Sequence, residues 1–145
     1  MSGLFITFEG IEGCGKSTQV ERLAKRLAKA SREVITLREP GGTVIGEAIR
    51  EVVKHPPGDE PISPDTELLL MNASRAQLVQ QAIRPALAKG AVVLCDRFYD
   101  SSLAYQGHGR GLDFAKVQQA IDLAVGETKP SLTLLLDISL SVSQT

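Results

Sequence analysis

The octapeptide Gly10-Ile11-Glu12-Gly13-Cys14-Gly15-Lys16-Ser17 stands directly between a short apolar run, Leu4–Phe8, and a stretch with helical periodicity. It fits G-x-x-x-x-G-K-[ST]. The glycines permit a tight backbone path that turns successive N–H groups inward, and the positive end of the following helix adds to the attraction for anions. A glycine-rich turn matching by chance is the bland alternative, but the strand before it and the helix after it are the context this motif requires. Such a loop cradles the phosphates of a nucleoside triphosphate. Lys16 is then expected at the β- and γ-phosphates and the Ser17 hydroxyl on Mg²⁺. Gly10, Ile11, Glu12, Gly13, Cys14, Gly15, Lys16, Ser17 and Thr18 form the expected nucleotide-binding set. The motif alone separates neither ATP from GTP nor a kinase from a switch or a motor. Cys14 reads either as a reactive loop thiol or as a small residue the loop tolerates.

Four runs read as strands: Leu4–Phe8, Val34–Leu37, Ala91–Cys95 and Leu132–Leu136. The first, third and fourth are almost continuously apolar, which suits strands covered on both faces, as in a parallel sheet. In the first helix Val20, Leu23, Ala24, Leu27 and Ala28 follow the template of one buried stripe. Further helices are expected over Ile45–Val53, over a long stretch from Pro64 to Lys89 ended by Gly90, and over Phe114–Val125 ended by Gly126. Pro85 should kink the long one or divide it. Lys54–Pro64 is the one linker-like segment, too short and too central to separate domains, so residues 1–145 are expected to form one domain. Strands alternating with helices imply an open α/β sheet whose ligand sits beyond the carboxyl ends of the strands. Glu9-Gly10, Arg38 to Gly42, Asp96-Arg97 and Asp137 follow those ends.

Composition narrows the partners. Lys+Arg number 16 against 17 Asp+Glu, a balance without the electrostatic footprint of a nucleic-acid or anionic-membrane binder. No apolar run reaches the roughly 18 residues of a membrane helix, and the start, Met-Ser-Gly-Leu-Phe, lacks a secretory pattern. Cys14 and Cys95 have neither disulfide-framework nor zinc spacing. A cytoplasmic setting is the expectation.

A switch GTPase would carry an Asn-Lys-x-Asp run, and none is present. The third strand closes with Asp96-Arg97, where the acid can orient Mg²⁺ and the base can clamp a second phosphate. That pair suggests transfer to a phosphorylated acceptor rather than to water. For Asp96 the alternative is a cap on the following turn; for Arg38, which precedes a Pro-Gly-Gly turn, it is an ordinary surface arginine.

The run Leu94-Cys95-Asp96-Arg97-Phe98-Tyr99-Asp100-Ser101-Ser102-Leu103-Ala104-Tyr105-Gln106 resembles the signature of the thymidylate kinase family. Glu12, Arg38-Glu39-Pro40-Gly41-Gly42 and Gly107-His108-Gly109-Arg110-Gly111 agree with it, in the family's order. The resemblance implies an α/β, three-layer P-loop NTPase fold, a parallel sheet with helices on both faces, and transfer of a phosphoryl group from ATP to dTMP with Mg²⁺. By the same resemblance Lys16, Asp96 and Arg97 are catalytic, and Ser17 and Asp96 serve the metal. Glu12 would accept from the 3′-hydroxyl of dTMP, Arg38 and Arg97 would hold its phosphate, and Arg75 would reach the thymine carbonyl face. Ser101 and Ser102 would read the base edge, Tyr105 would crowd the sugar, and Gln106 would complete the polar wall. From the residues alone, Arg75 reads as a solvated helix arginine, and the alternatives for Tyr105 and Glu12 are a core residue and an outward, solvated side chain.

Two departures from the family pattern stand out. The position that usually stacks an aromatic on thymine falls at Met71 or Asn72, and neither is aromatic; Met71 can still cover a ring face through its sulfur. Members also continue through an arginine-bearing lid, so the chain reads as an amino-terminal part. Those with glycine at the Gly13 position look to the lid for a cation, which here would have to come from Arg110 or a partner. Another nucleoside-monophosphate kinase and a catalytically weak nucleotide-binding module are the alternatives. A homodimer through the long helix is expected from the resemblance.

Overall fold

The parallel sheet is built from four strands, β1 (Leu4–Glu9), β2 (Val34–Arg38), β3 (Val92–Asp96) and β4 (Leu132–Leu135), in the order β2-β3-β1-β4. The computed structural model describes residues 3–144; residues 1, 2 and 145 of the expected 1–145 domain lie outside the described residues. Each expected strand is found to within one residue at either end. In register, Phe5 pairs with Val93, Thr7 with Cys95, and Val34 with Val92. The chain packs as two compact units, a sheet unit (residues 1–38, 85–98 and 130–145) and a helical unit (39–84 and 99–129).

In the sheet unit, helix α1 (Lys16–Lys29) lies on one face. Ile6 and Phe8 of β1, Val92 and Leu94 of β3 and Val20 of α1 form a buried cluster joined by Leu23, Ala24, Leu27, Val34 and Leu134. The strand members recur every second residue, as a pleated face requires, and the helix members recur at three and four. The opposite face of β1 and β3 is also buried, with Phe5 and Phe98 edge to face at 5.0 Å. Two expectations fail here. Ala28 is exposed, at the edge of the stripe where Leu27 alone of the last turn still packs on the cluster. β4 is not covered on both faces: Leu132, Thr133 and Leu135 are exposed, since it is an edge strand paired only to β1 and only Leu134 and Leu136 turn toward the α1 cluster. A short helix, α7 (Leu140–Ser143), follows it.

The helical unit contains α2 (Val44–Lys54), α3 (Pro64–Leu78), α5 (Tyr99–Ser102) and α6 (Phe114–Val125). Each long helix starts on a side-chain cap: Thr43 accepts from Gly46 N, Ser63 from Thr66 N and Asp113 from Ala115 N. The long helical stretch is divided just ahead of Pro85. Residues Val79–Ile83 are π-helical, Arg84 N reaching back to Val79 O, before α4 (Arg84–Ala88) resumes. Pro85 has no N–H for the α-helical ladder, and the wider turn absorbs that loss. A second π-helical segment, Leu103–Gly109, continues α5. No helix among the described residues is long and apolar enough to cross a membrane.

Candidate active site

In the sheet unit, the loop after β1 takes the left-handed backbone values its glycines permit: φ is 146° at Gly10, 76° at Gly13 and 90° at Gly15. A Cβ on Gly10 would lie 2.6 Å from Leu136 O and 2.7 Å from Cys14 Sγ. At Gly13 it would lie 2.8 Å from the Ser143 carbonyl oxygen of α7. Both positions are therefore closed to side chains by contact as well as by conformation. Gln19 N donates to Gly15 O as the first rung of α1, so the N–H groups of Lys16, Ser17 and Thr18 precede the helical ladder. The first turn of α1 carries no acidic residue, which keeps its positive end available to an anion.

Lys16 is buried, and its ammonium donates to Gly10 O (2.9 Å), Ile11 O (2.8 Å) and Cys14 Sγ (3.6 Å). The side chain is folded over its own loop. Cys14 is likewise buried, while Glu12 is exposed.

Ser17 Oγ donates to Asp96 Oδ2 at 2.7 Å, which brings the two expected metal residues together from the start of α1 and the end of β3. Two hard oxygens side by side, Ser17 exposed and Asp96 half-buried, suit Mg²⁺, an ion that takes one or two protein oxygens and completes its shell with water and phosphate. Arg97 follows with φ 70°, a left-handed value costing a non-glycine residue about 1–2 kcal/mol. The surroundings hold it there: its N–H donates to Phe8 O (2.9 Å) and its carbonyl accepts from the Cys95 thiol (3.1 Å). Beside it Phe98 N donates to the buried Glu9 carboxylate (2.8 Å). Arg38, at the end of β2, is exposed.

The helical unit holds the remaining expected residues. Arg75 is fully buried, which excludes the solvated helix arginine. Its Nε and Nη2 grip the Glu39 carboxylate at 2.9 and 2.8 Å, while Nη1 donates to Asn72 Oδ1 (2.8 Å) and Ser102 Oγ (3.1 Å). Asn72 in turn donates to Leu68 O, so its amide is fixed at both ends. Glu39 opens a turn with a cis Glu39–Pro40 bond, tied by Ser74 Oγ to Gly41 N, by Glu47 to Gly42 N and by Arg50 to Pro40 O. Ser101 is buried, Met71 half-buried and Tyr105 exposed, so Tyr105 is not core.

Gln106 is buried; its Nε2 donates to Glu67, which also pairs with Arg110. Burial pushes the Glu67 carboxyl up, but the hydrogen bonds from Arg110 and Gln106 and the charge of Arg110 outweigh it and hold it below the usual range. Burial raises Asp100, against the opposing pull of Arg75. Sequence reasoning placed Glu9 and Glu39 beside the strand ends without their partners, and missed Glu67 and the polar role of Asn72. Asn72 and Glu67, three and eight residues before Arg75 on one helix, carried a spacing signal that could have revealed them.

A family profile described as Thymidylate kinase matches residues 8–145. A thymidylate kinase of Ectopseudomonas mendocina is 56% identical over 142 residues, covering 98% of this chain and 67% of that protein. One of Geobacter sulfurreducens is 53% identical over 140 residues, covering 97% and 65%. The chain thus spans about two thirds of the length of these relatives. The crystal structure of thymidylate kinase from Ehrlichia chaffeensis superposes with a TM-score of 0.86 at 38% identity, over 94% of this chain and 72% of that one. The α/β fold with a parallel sheet and P-loop is the one that structure shares.

Proposed function

Because this chain belongs to the thymidylate kinase family, whose reaction phosphorylates dTMP to dTDP, we propose that it takes the phosphoryl group from ATP, with Mg²⁺, by direct in-line transfer. The observation that carries this reading is the Ser17–Asp96 contact at 2.7 Å beside the glycine loop. It pairs a phosphate cradle with a place for a hard cation.

Bound Mg²⁺ would neutralise charge on the donor phosphates. The chain's own residues do the rest. N–H groups of Gly10–Thr18 hold the donor phosphates, and Lys16 exchanges the carbonyls of Gly10 and Ile11 for phosphate oxygens when the donor arrives. Arg97, held in a strained backbone conformation, stabilises charge on the phosphoryl group in flight. Arg38 adds a charge-assisted contact to the acceptor phosphate, and Glu12 accepts from the 3′-hydroxyl. In the helical unit, Arg75 with Ser101 and Ser102 reads the thymine edge, Met71 covers the ring and Tyr105 disfavours a 2′-hydroxyl. Gln106 supplies a buried acceptor oxygen to the base.

We read both units as parts of one kinase domain, since the chain passes between them four times and one passage falls inside α4. A homodimer through α3 and a cytoplasmic location complete the reading, on the family's likeness. The test is phosphoryl transfer from ATP to dTMP, dUMP, CMP and AMP, followed chromatographically. A clear preference for dTMP that Lys16→Ala abolishes is expected; preference for another acceptor overturns the assignment.

A further inference from the structure

The side chain of Gln106 has its two ends in different circumstances. Nε2 donates to Glu67 Oε1 at 2.8 Å, whereas Oε1 is buried and has no hydrogen-bond partner among the described residues. The residue is 3% exposed. Water therefore has little access to that oxygen, and a buried acceptor left unsatisfied is costly. An amide can turn over and exchange its ends. This one is prevented, because an ionised carboxylate only accepts, and an amide oxygen turned toward it would set acceptor against acceptor.

Glu67 is kept in that ionised state from two sides. Arg110 Nη2 donates to its Oε2, and it lies in the first turn of α3, where the helix favours negative charge. The downward shift of its carboxyl has the same origin.

We propose that Glu67, clamped by Arg110, is a positioning residue that fixes the orientation of the Gln106 amide and so presents its Oε1 as an acceptor to the nucleotide base. This rests on the reading of Gln106 as a substrate residue. Spacing supports it. Glu67, Met71 and Arg75 follow one another along α3 at intervals of four, and Ser102 and Gln106 are four apart on the facing segment. Two polar rungs result, Arg75–Ser102 and Glu67–Gln106, with Met71 one helical turn from each. A base lying over Met71 that carries a carbonyl and an adjacent imide N–H matches both rungs. One whose ring nitrogen is a bare acceptor meets Oε1 with like lone pairs. Glu67 thereby acts on base selection without touching the base.

The test titrates dTMP and 5-methyl-dCMP, whose N3 is a bare acceptor beside a 4-amino group, calorimetrically into the wild type, Glu67→Gln and Arg110→Gln. A neutral Gln at 67 both donates and accepts, so it tolerates either orientation of Gln106. The wild type should prefer dTMP by about tenfold or more, and the ratio should fall by about fivefold or more in Glu67→Gln, any remainder coming from the Arg75–Ser102 rung. Arg110→Gln, altered at the more exposed end of the pair, should lower it in the same direction. A Glu67→Gln protein that keeps the wild-type ratio overturns the proposal. The side-chain amide resonances of Gln106, observed without ligand by ¹⁵N NMR, judge the positioning separately. They should shift or broaden in Glu67→Gln, and unchanged resonances also overturn it. If the wild type binds both ligands alike while those resonances respond, the positioning stands and the substrate reading of Gln106 falls.

Discussion

Replacing Glu39 by Ala removes the carboxylate that two nitrogens of Arg75 grip, depriving a guanidinium that is 0% exposed of this salt bridge, with the Asp100 carboxyl still attracted to it. Asn72 and Ser102 still accept from Nη1, but they are neutral. Breaking a buried pair from one side typically costs about 3–5 kcal/mol, because the remaining charge stays desolvated. For a chain of this size each kcal/mol moves the melting temperature by roughly 2–4 °C, so a drop of about 10 °C is expected. The double replacement Glu39→Leu with Arg75→Met removes both charges and keeps apolar volume, so it should recover part of that loss, the remainder being the cost of leaving Asn72 Oδ1 and Ser102 Oγ without the Nη1 donor. Urea unfolding followed by circular dichroism gives the three free energies. A loss below about 1 kcal/mol in Glu39→Ala, or a double variant as unstable as the single, would refute the reasoning.

Gly10→Ala places a Cβ 2.6 Å from a backbone oxygen at a φ of 146°; we expect about 1–3 kcal/mol of destabilisation and weakened ATP binding, and wild-type values for both would contradict the loop geometry. Asp100 has its folded pKa raised by burial, so its contribution to stability is full below the unfolded pKa and is lost as pH rises through the folded one. Asp100→Asn should therefore melt higher than the wild type at pH 7, an advantage that shrinks toward pH 3; a melting difference that does not depend on pH would count against this. Alkylation of Cys14, whose sulfur accepts from Lys16, should slow when MgATP is present, and equal rates with and without it would exclude a loop-facing thiol.

The sheet was legible because its strands announce themselves twice, by apolar runs and by the polar punctuation that follows them. β1 and β3 are buried on both faces as such runs imply. β4 has the same composition and a different fate, since coverage depends on what packs against a strand and an apolar run cannot specify that. The divided helix was half legible. Pro85 marks the place, but the compensation lies upstream, at Val79–Ile83, where the backbone widens before the proline removes its donor.

The candidate residues of the sheet unit and those of the helical unit differ in legibility for a physical reason. The loop in the sheet unit is encoded by consecutive residues whose chemistry is set by backbone geometry, so Gly10, Gly13, Gly15, Lys16 and Ser17 declare their roles in one line of sequence. Arg75 and Gln106 depend instead on partners 36 and 39 residues away, Glu39 and Glu67. Neither partner is matched by a local pattern: Glu39 is one letter in a turn, and Glu67, its spacing from Arg75 aside, looks like an ordinary first-turn acid. A buried arginine must find a carboxylate, and a buried amide must have its two ends distinguished, but one sequence states only the need and leaves the donor of the charge unnamed. On the proposed reading, recognition of the phosphates would be written locally in this chain, and recognition of the base in which acid each buried polar side chain is matched to; exchanging those acids should then alter base choice while the phosphate loop is left intact.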